Sequence, residues 1–218
     1  ASILAPLAVS AALAAGFGWR VGYLVIPMVV LAAITVPIWR ISIPDAPAAD
    51  EQIASGPSAP MLGRWVDLLL SVSVEFCMIF WAASAFIAWD QASPSQAPAL
   101  ASLFLVGMAV ARVMSARIIG RLPDPRILVL VCAAVAAAGF ALFWAAPNVW
   151  LAAAGLLATG LGIALLYPTT ISRVIAAWPQ APDRSAAVAA LGSGIAIGGA
   201  PFLLAQISDR TGLRTAFV

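Results

Sequence analysis

Long apolar segments separated by short polar connections run through the whole chain. A helix needs about 20 residues, at about 1.5 Å each, to cross the apolar layer of a bilayer. Seven segments reach or approach that length, and we name them spans A to G. They are span A (Ala1–Phe17), span B (Val21–Trp39), span C (Trp65–Trp89), span D (Ala99–Ile119), span E (Ile127–Trp144), span F (Trp150–Ile175) and span G (Ser185–Ile207). The pattern predicts an all-α, multi-pass membrane protein.

The longest connection is Arg40–Arg64, which reads RISIPDAPAADEQIASGPSAPMLGR. It is rich in Pro, Ala and Ser and has no apolar period, so it predicts a flexible linker between two helix bundles. The chain opens and closes inside apolar runs, and we expect it to be an internal fragment of a longer protein.

Composition agrees with a lipid environment. Hydrophobic residues make up 63% of the chain and charged residues 9%, with a mean hydropathy of +1.04. Soluble domains carry about 25% charged residues. The net charge of +2, without a basic run, argues against nucleic acid as a partner. The chain has no His and only Cys77 and Cys132 as thiols, so no metal, cofactor or enzymatic function is expected.

Tryptophan and arginine indicate the span ends and their orientation. Indole rings favour the headgroup layer, and seven tryptophans fall at predicted span ends. They are Trp19, Trp39, Trp65, Trp89, Trp144, Trp150 and Trp178. If the long linker is cytoplasmic, the cytoplasmic ends hold eight arginines and the outer ends three, which satisfies the positive-inside rule.

Spans A and G share a pattern, an Ala-Pro pair followed by a Gly-x-Arg turn, starting at Ala5 and at Ala200. The two spans are six apart in order. A repeat of six helices predicts two related halves of one fold.

Four motifs carry a resemblance to a known family. They are AGFGWRVGY after span A, GMAVARVMSARIIGRLPDPR through the D–E loop, GLGIALLYPTTIS in span F and GSGIAIGGAPFLLAQISDRTGLR in span G. In this order the chain resembles a transporter of the major facilitator superfamily, with some similarity to its fucose-permease-like branch. Two positions depart from the family pattern. Ile119 stands where the loop motif usually has an acidic residue, and span A lacks the Gly-Pro of the antiporter motif.

The resemblance implies an architecture of twelve helices in two bundles of six. Residues 1–40 would be the last two helices of the first bundle, residues 41–63 the central cytoplasmic linker, and residues 64–218 the first five helices of the second. It also implies a monomer in the bacterial cytoplasmic membrane, surrounded by lipid, that moves a small-molecule substrate by alternating access.

Asp67, Ser71 and Glu75 recur every fourth residue in span C and predict a polar stripe facing a central cavity. Glu75 lies near the middle of the span, where a carboxylate needs a cavity or a partner. We interpret it as the proton-coupling group; the alternative is a buried structural ion pair. Arg112 in span D is the expected partner or substrate anchor, unless its side chain extends to the inner surface.

Other residues are assigned by position. Ser71 and Tyr167 are candidate substrate contacts, and Trp81 lines the cavity or simply packs. Several residues are expected at gates and hinges. These are Arg117 and Arg121 in the D–E loop, Pro168 as a bend in span F, and Gly194, Gly198 and Pro201 in span G, where GxxxG spacing suggests close, sliding helix packing.

The predicted function is transport of a small organic solute coupled to protons, most simply as a symporter. One alternative is efflux of lipophilic compounds by proton antiport, with Glu75 attracting a cation. Another is a membrane sensor or scaffold that transports nothing.

Overall fold

The structure is a computed structural model that describes residues 59–179 and 181–217. Spans A and B, and the predicted linker as far as residue 58, lie outside the described residues. The described part belongs to one compact unit of the chain.

Helices account for nearly all of the described ranges, which contain no strand. In chain order they are α1 (Ala59–Ala88), α2 (Ala97–Val113), α3 (Ser115–Arg121), α4 (Pro125–Ala145), α5 (Val149–Ile163), α6 (Leu166–Ile175), α7 (Pro182–Thr211) and α8 (Leu213–Ala216). Four stretches are long and apolar enough to cross a membrane, and the bent pair α2–α3 counts as a fifth if its two helices are taken as one span. The prediction of an all-α protein is confirmed for this part of the chain, which contains several helices long and apolar enough to span a membrane.

Span D is not the single straight helix that the sequence predicts. α2 and α3 meet at Met114 with a bend of 62°. The segment beyond the bend carries Arg117 and Arg121, and both side chains are exposed. Charged side chains near the end of a span are favoured where they can reach water. We attribute the turn of α3 away from the axis of α2 to this preference.

Span F is interrupted as expected, but the break comes before Pro168 rather than at it. α5 ends at Ile163 and α6 begins at Leu166. Proline has no N–H, and its ring clashes with the carbonyl four residues earlier, here that of Ala164. Pro168 thus lies in the first turn of α6, where a missing N–H is tolerated.

The other spans differ from their predicted limits only at the ends. α1 begins at Ala59, six residues before the predicted start of span C, so the last predicted linker residues are helical. α4 and α7 extend spans E and G by a few residues on each side. Such shifts are ordinary for helix ends.

α1 packs against two separate groups of buried side chains. Its first half, including Leu68 and Val72, contacts α6 and α7. Its second half, including Met78 and Phe86, contacts α2, α4 and α5. The segment between Val72 and Met78 therefore lies where the two clusters meet, and this segment contains Glu75.

Glycines allow α5 to approach α4 and α2 at backbone distance. A Cβ at Gly155 would overlap the backbone of Phe143 and lie 2.8 Å from the carbonyl oxygen of Gly139. On the other side of α5, a Cβ at Gly160 would overlap the carbonyl oxygen of Phe104. Small residues at such crossings are how membrane helices pack without a hydrophobic driving force.

The end of α7 is tied to the ends of α1 and α4. Gly212 joins α7 to α8 with φ of 81°, a left-handed value that glycine adopts without strain. The Arg214 guanidinium then lies between two indoles, 5.7 Å from the ring centroid of Trp89 and 5.5 Å from that of Trp144. Trp144 Nε1 also donates a 3.1 Å hydrogen bond to the Arg214 carbonyl oxygen. We call Trp89, Trp144 and Arg214 the aromatic clasp.

The start of α5 carries a side-chain cap. Asn148 Oδ1 accepts a 3.0 Å hydrogen bond from the backbone N–H of Leu151. We expect Asn148→Ala to lower the free energy of unfolding by about 1 kcal/mol, because a backbone donor loses its partner. In thermal unfolding in detergent this corresponds to a fall of about 2–4 °C. Asn148→Ser should keep most of the stability, and an equal loss in both variants would contradict the cap.

Candidate functional site

The polar stripe of α1 is divided between two cavities. Asp67 and Ser71 line a cavity of about 390 Å³ between α1, α4 and α6. Glu75 lines a different one, of about 280 Å³, between α1, α2, α6 and α7. At 100° per residue, each step of four residues turns the stripe by about 40°. Asp67 and Glu75 therefore point in directions about 80° apart, which places them on different sides of the contact between α1 and α6.

Glu75 and Arg112 come together from adjacent helices. Arg112 Nη2 lies 3.7 Å from Glu75 Oε1. The carboxylate side chain is 13% exposed and the arginine side chain 50% exposed. A strong charge-assisted hydrogen bond would measure about 2.7–2.9 Å and would often be bidentate. The contact is thus a loose ion pair between a largely buried carboxylate and a half-exposed guanidinium.

The cavity around this pair combines charged, polar and apolar walls. Its lining residues are Val72, Glu75, Phe76, Arg112, Tyr167, Ser193 and Ile197. One negative and one positive side chain give the lining a net charge of zero. We call this space the Glu75 cavity.

The hydroxyl of Ser193 is oriented by its own helix. Ser193 is buried, and its Oγ donates a 2.9 Å hydrogen bond to the carbonyl oxygen of Ala189. A serine that donates its proton in this way keeps lone pairs that can accept a hydrogen bond. Tyr167, from the first turn of α6, lines the same cavity and is half-buried. It carries a phenol that can donate or accept.

Ser71, a predicted substrate contact, lies in the 390 Å³ cavity and not with Glu75. Its Oγ is 3.4 Å from Thr170 Oγ1. Both hydroxyls already donate to their own helices, Ser71 to the Leu68 carbonyl and Thr170 to the Leu166 carbonyl. The interaction between the two hydroxyls is therefore weak, and it lies where α1 and α6 pack together.

Asp67 has its own basic partner, which sequence reasoning did not identify. Arg173 Nη1 lies 3.5 Å from Asp67 Oδ2, and Arg64 Nη1 donates a 3.2 Å hydrogen bond to the Arg173 carbonyl oxygen. Asp67 is 47% exposed, so this pair is largely open to solvent. Exposed pairs contribute little to stability.

Trp81 lines neither the 390 Å³ cavity nor the Glu75 cavity. Its Nε1 donates a 3.2 Å hydrogen bond to the carbonyl oxygen of Pro201 in α7. Trp81, Gly198 and Pro201 line a third cavity, which shares Ile197 with the Glu75 cavity. The aromatic side chain is thus near the candidate site without lining it.

The residues predicted for gating are not gathered at one place. Arg117 and Arg121 are exposed on α3, away from the lining of the Glu75 cavity. Gly194 and Gly198 were expected to pack closely, yet no described atom lies within 4 Å of a Cβ built at either one. Close packing on α7 occurs instead at Gly192, which lies against the indole of Trp65. The roles in gating stay predictions.

Metal-ligating side chains do not cluster in the described ranges: no three of His, Cys, Asp and Glu lie close enough together to hold an ion. Cys77 and Cys132 are free thiols on α1 and α4.

Sequence reasoning missed part of the cavity wall. Val72, Phe76 and Ile197 give no polar signal in an apolar span. Ser193 does give one, since it is a hydroxyl between two glycines in the middle of α7. What the sequence could not supply is the rotation of α7 that places Ser193 in the wall of the Glu75 cavity.

Comparison with protein-family models, with curated proteins and with solved structures finds no match to this chain. The function is therefore argued from the Glu75 cavity itself.

Proposed function

We propose that this chain forms part of a secondary transporter that moves a small organic solute across a membrane, with the Glu75 cavity as its binding site. The observation that carries the proposal is the Glu75–Arg112 pair, two opposite charges that face a cavity between apolar helices. Ionisable groups at this depth are expensive, and they commonly mark solute or proton pathways.

The geometry of the pair supports a ligand site over a purely structural bridge. A structural bridge in a low-dielectric region needs short, multiple hydrogen bonds to offset the loss of hydration. Among the described residues, the 3.7 Å contact between Arg112 and Glu75 leaves most of their hydrogen-bonding capacity free. A solute that enters the cavity can take up that capacity.

Proton coupling follows from the same pair. When Glu75 is ionised, its carboxylate can bind a donor group of the solute, and when it takes up a proton that negative charge is lost. Proton binding and solute binding are then linked through one carboxyl group, which is the requirement for coupled transport. In the proposed mechanism, alternating exposure of the cavity to the two sides completes the cycle, as the resemblance to the major facilitator superfamily implies.

Flux measurements on the full-length protein test this proposal. Proteoliposomes with an imposed pH gradient should accumulate radiolabelled solutes from a small-molecule panel, and a protonophore should abolish the accumulation. A sensor or scaffold would give no flux with any solute. Solute flux that does not depend on the pH gradient would support a transporter and refute the proton coupling.

Efflux of lipophilic compounds is the second candidate, and the 390 Å³ cavity favours it. That cavity is lined mostly by apolar side chains, with the carboxylate of Asp67 among them. Such a site suits a bulky lipophilic cation. Uptake of a fluorescent lipophilic cation into inverted vesicles, lost in Asp67→Asn and kept in Glu75→Gln, would support this candidate over the first.

A further inference from the structure

Different residues of the Glu75 cavity supply its hydrogen-bond acceptors and its donors. The Glu75 carboxylate and the Ser193 hydroxyl, which already donates to Ala189, offer acceptors. Arg112 offers only donors. A ligand that matches this arrangement carries a donor group toward Glu75 and Ser193 and an acceptor group toward Arg112.

Charge selects further among such ligands. The lining has one negative and one positive side chain, so a ligand with a net charge leaves one of them facing a like charge or without a partner. Leaving a buried charged group unsatisfied is more costly than leaving a neutral one. A ligand with both charges satisfies both residues.

The rest of the wall argues against a polyol. Val72, Phe76 and Ile197 supply no hydrogen-bonding side chain. A sugar or polyol has a hydroxyl on nearly every carbon, and those facing this wall would lose their hydrogen bonds to water without replacement. A compact aliphatic group faces the same wall without that penalty.

The Glu75–Arg112 ion pair can also separate. Arg112 is half exposed, while Glu75 is held in the wall. The guanidinium can therefore swing away from the carboxylate and admit an ammonium group beside Glu75 and a carboxylate beside itself.

We infer that the Glu75 cavity binds a small zwitterion with an aliphatic body, of the kind of an aliphatic α-amino acid, with its ammonium group on Glu75 and its carboxylate on Arg112. This inference rests on the proposed function and specifies the class of its substrate.

Four probes of similar size and shape test the inference on the purified full chain in detergent, by differential scanning calorimetry. They are L-valine, L-valinamide, which is a net cation, 2-hydroxy-3-methylbutanoate, which is a net anion, and the polyol erythritol. A ligand of the folded state raises the unfolding midpoint by mass action. L-valine should bind about tenfold or more tightly than each of the other three, because each lacks one charged hydrogen-bonding group or more.

Substitution of either charged residue should change which of the four probes binds most tightly. Glu75→Gln gives the lining a net positive charge, so the hydroxy acid should become the best ligand. Arg112→Gln should make L-valinamide the best ligand. The matched control Arg126→Gln removes an exposed arginine at the start of α4 and should leave the order unchanged.

Binding of the four probes to the wild-type protein tests the inference even if a variant fails to fold. Stabilisation by erythritol but not by L-valine overturns the inference, and so does the absence of stabilisation by L-valine at millimolar concentrations. Proton-driven flux of a polyol would refute the zwitterion and keep the transporter. Tight binding of L-valine without any flux in proteoliposomes would keep the zwitterion site and refute the transporter.

Discussion

Replacing Glu75 with glutamine should abolish pH-driven accumulation of solute by the full-length protein while leaving exchange of solute across the membrane. Glutamine keeps the size and the hydrogen-bonding oxygen of the side chain but cannot take up or release a proton. In the proposed mechanism the proton-linked step is then lost, and exchange persists at solute concentrations high enough to offset weaker binding. Proteoliposomes with an imposed pH gradient should show accumulation reduced about 100-fold, which corresponds to about 2.7 kcal/mol of lost coupling.

Asp67 supplies a matched control on the same helix. It is a carboxylate two turns before Glu75, but it is 47% exposed and pairs with Arg173 outside the Glu75 cavity. Asp67→Asn should leave the ratio of accumulation to exchange within about twofold of wild type, since exposed ion pairs contribute little. Full accumulation in Glu75→Gln, or equal losses in the two variants, would refute the role of Glu75.

Replacing Gly155 with alanine should destabilise the helix bundle markedly. The added methyl group would overlap the backbone of Phe143 and lie 2.8 Å from the carbonyl oxygen of Gly139, and neither atom belongs to a side chain that can rotate away. Forcing extra volume into a packed contact costs about 1–3 kcal/mol, and α5 must move away from α4 to accept it. A chain of this length loses about 2–4 °C per kcal/mol, so we expect a fall of about 2–12 °C in the unfolding midpoint in detergent, reduced by the helix propensity that alanine gains.

Gly194→Ala is the control for this variant. Gly194 also lies inside a long helix, but no described atom comes within 4 Å of a Cβ built there. Alanine favours helix over glycine by about 0.8–1 kcal/mol at either position, so the control should be neutral or slightly stabilising. If both variants behave alike, the close approach of α4 and α5 does not limit stability.

The helices were largely predictable because lipid imposes a simple rule on sequence. A span must be long and apolar, and α4 and α7 follow their predicted spans with small shifts at the ends. The bend at Met114 was not predictable, since no proline or glycine lies at that point. The break in span F was predicted from Pro168. Its position before the proline follows from the clash between the proline ring and the carbonyl four residues earlier.

The charged residues of the candidate site were predictable from the sequence, but the cavity to which each side chain of α1 belongs was not. Glu75 and Arg112 are the charged residues nearest the middle of spans C and D, so each is a conspicuous candidate for the other's partner. Ser71 was grouped with Glu75 because four-residue spacing approximates one helix face. Over two turns the accumulated rotation separates the stripe, and neighbouring helices then assign its two ends to different cavities.

The aromatic clasp gives the chain a built-in optical probe. Indole emission depends on polarity and on nearby charge, and the Arg214 guanidinium lies within 6 Å of the ring centroids of both Trp89 and Trp144. Any movement that draws the end of α7 away from α1 and α4 changes the surroundings of both rings together. Tryptophan spectroscopy can therefore follow this end of the bundle without an attached label.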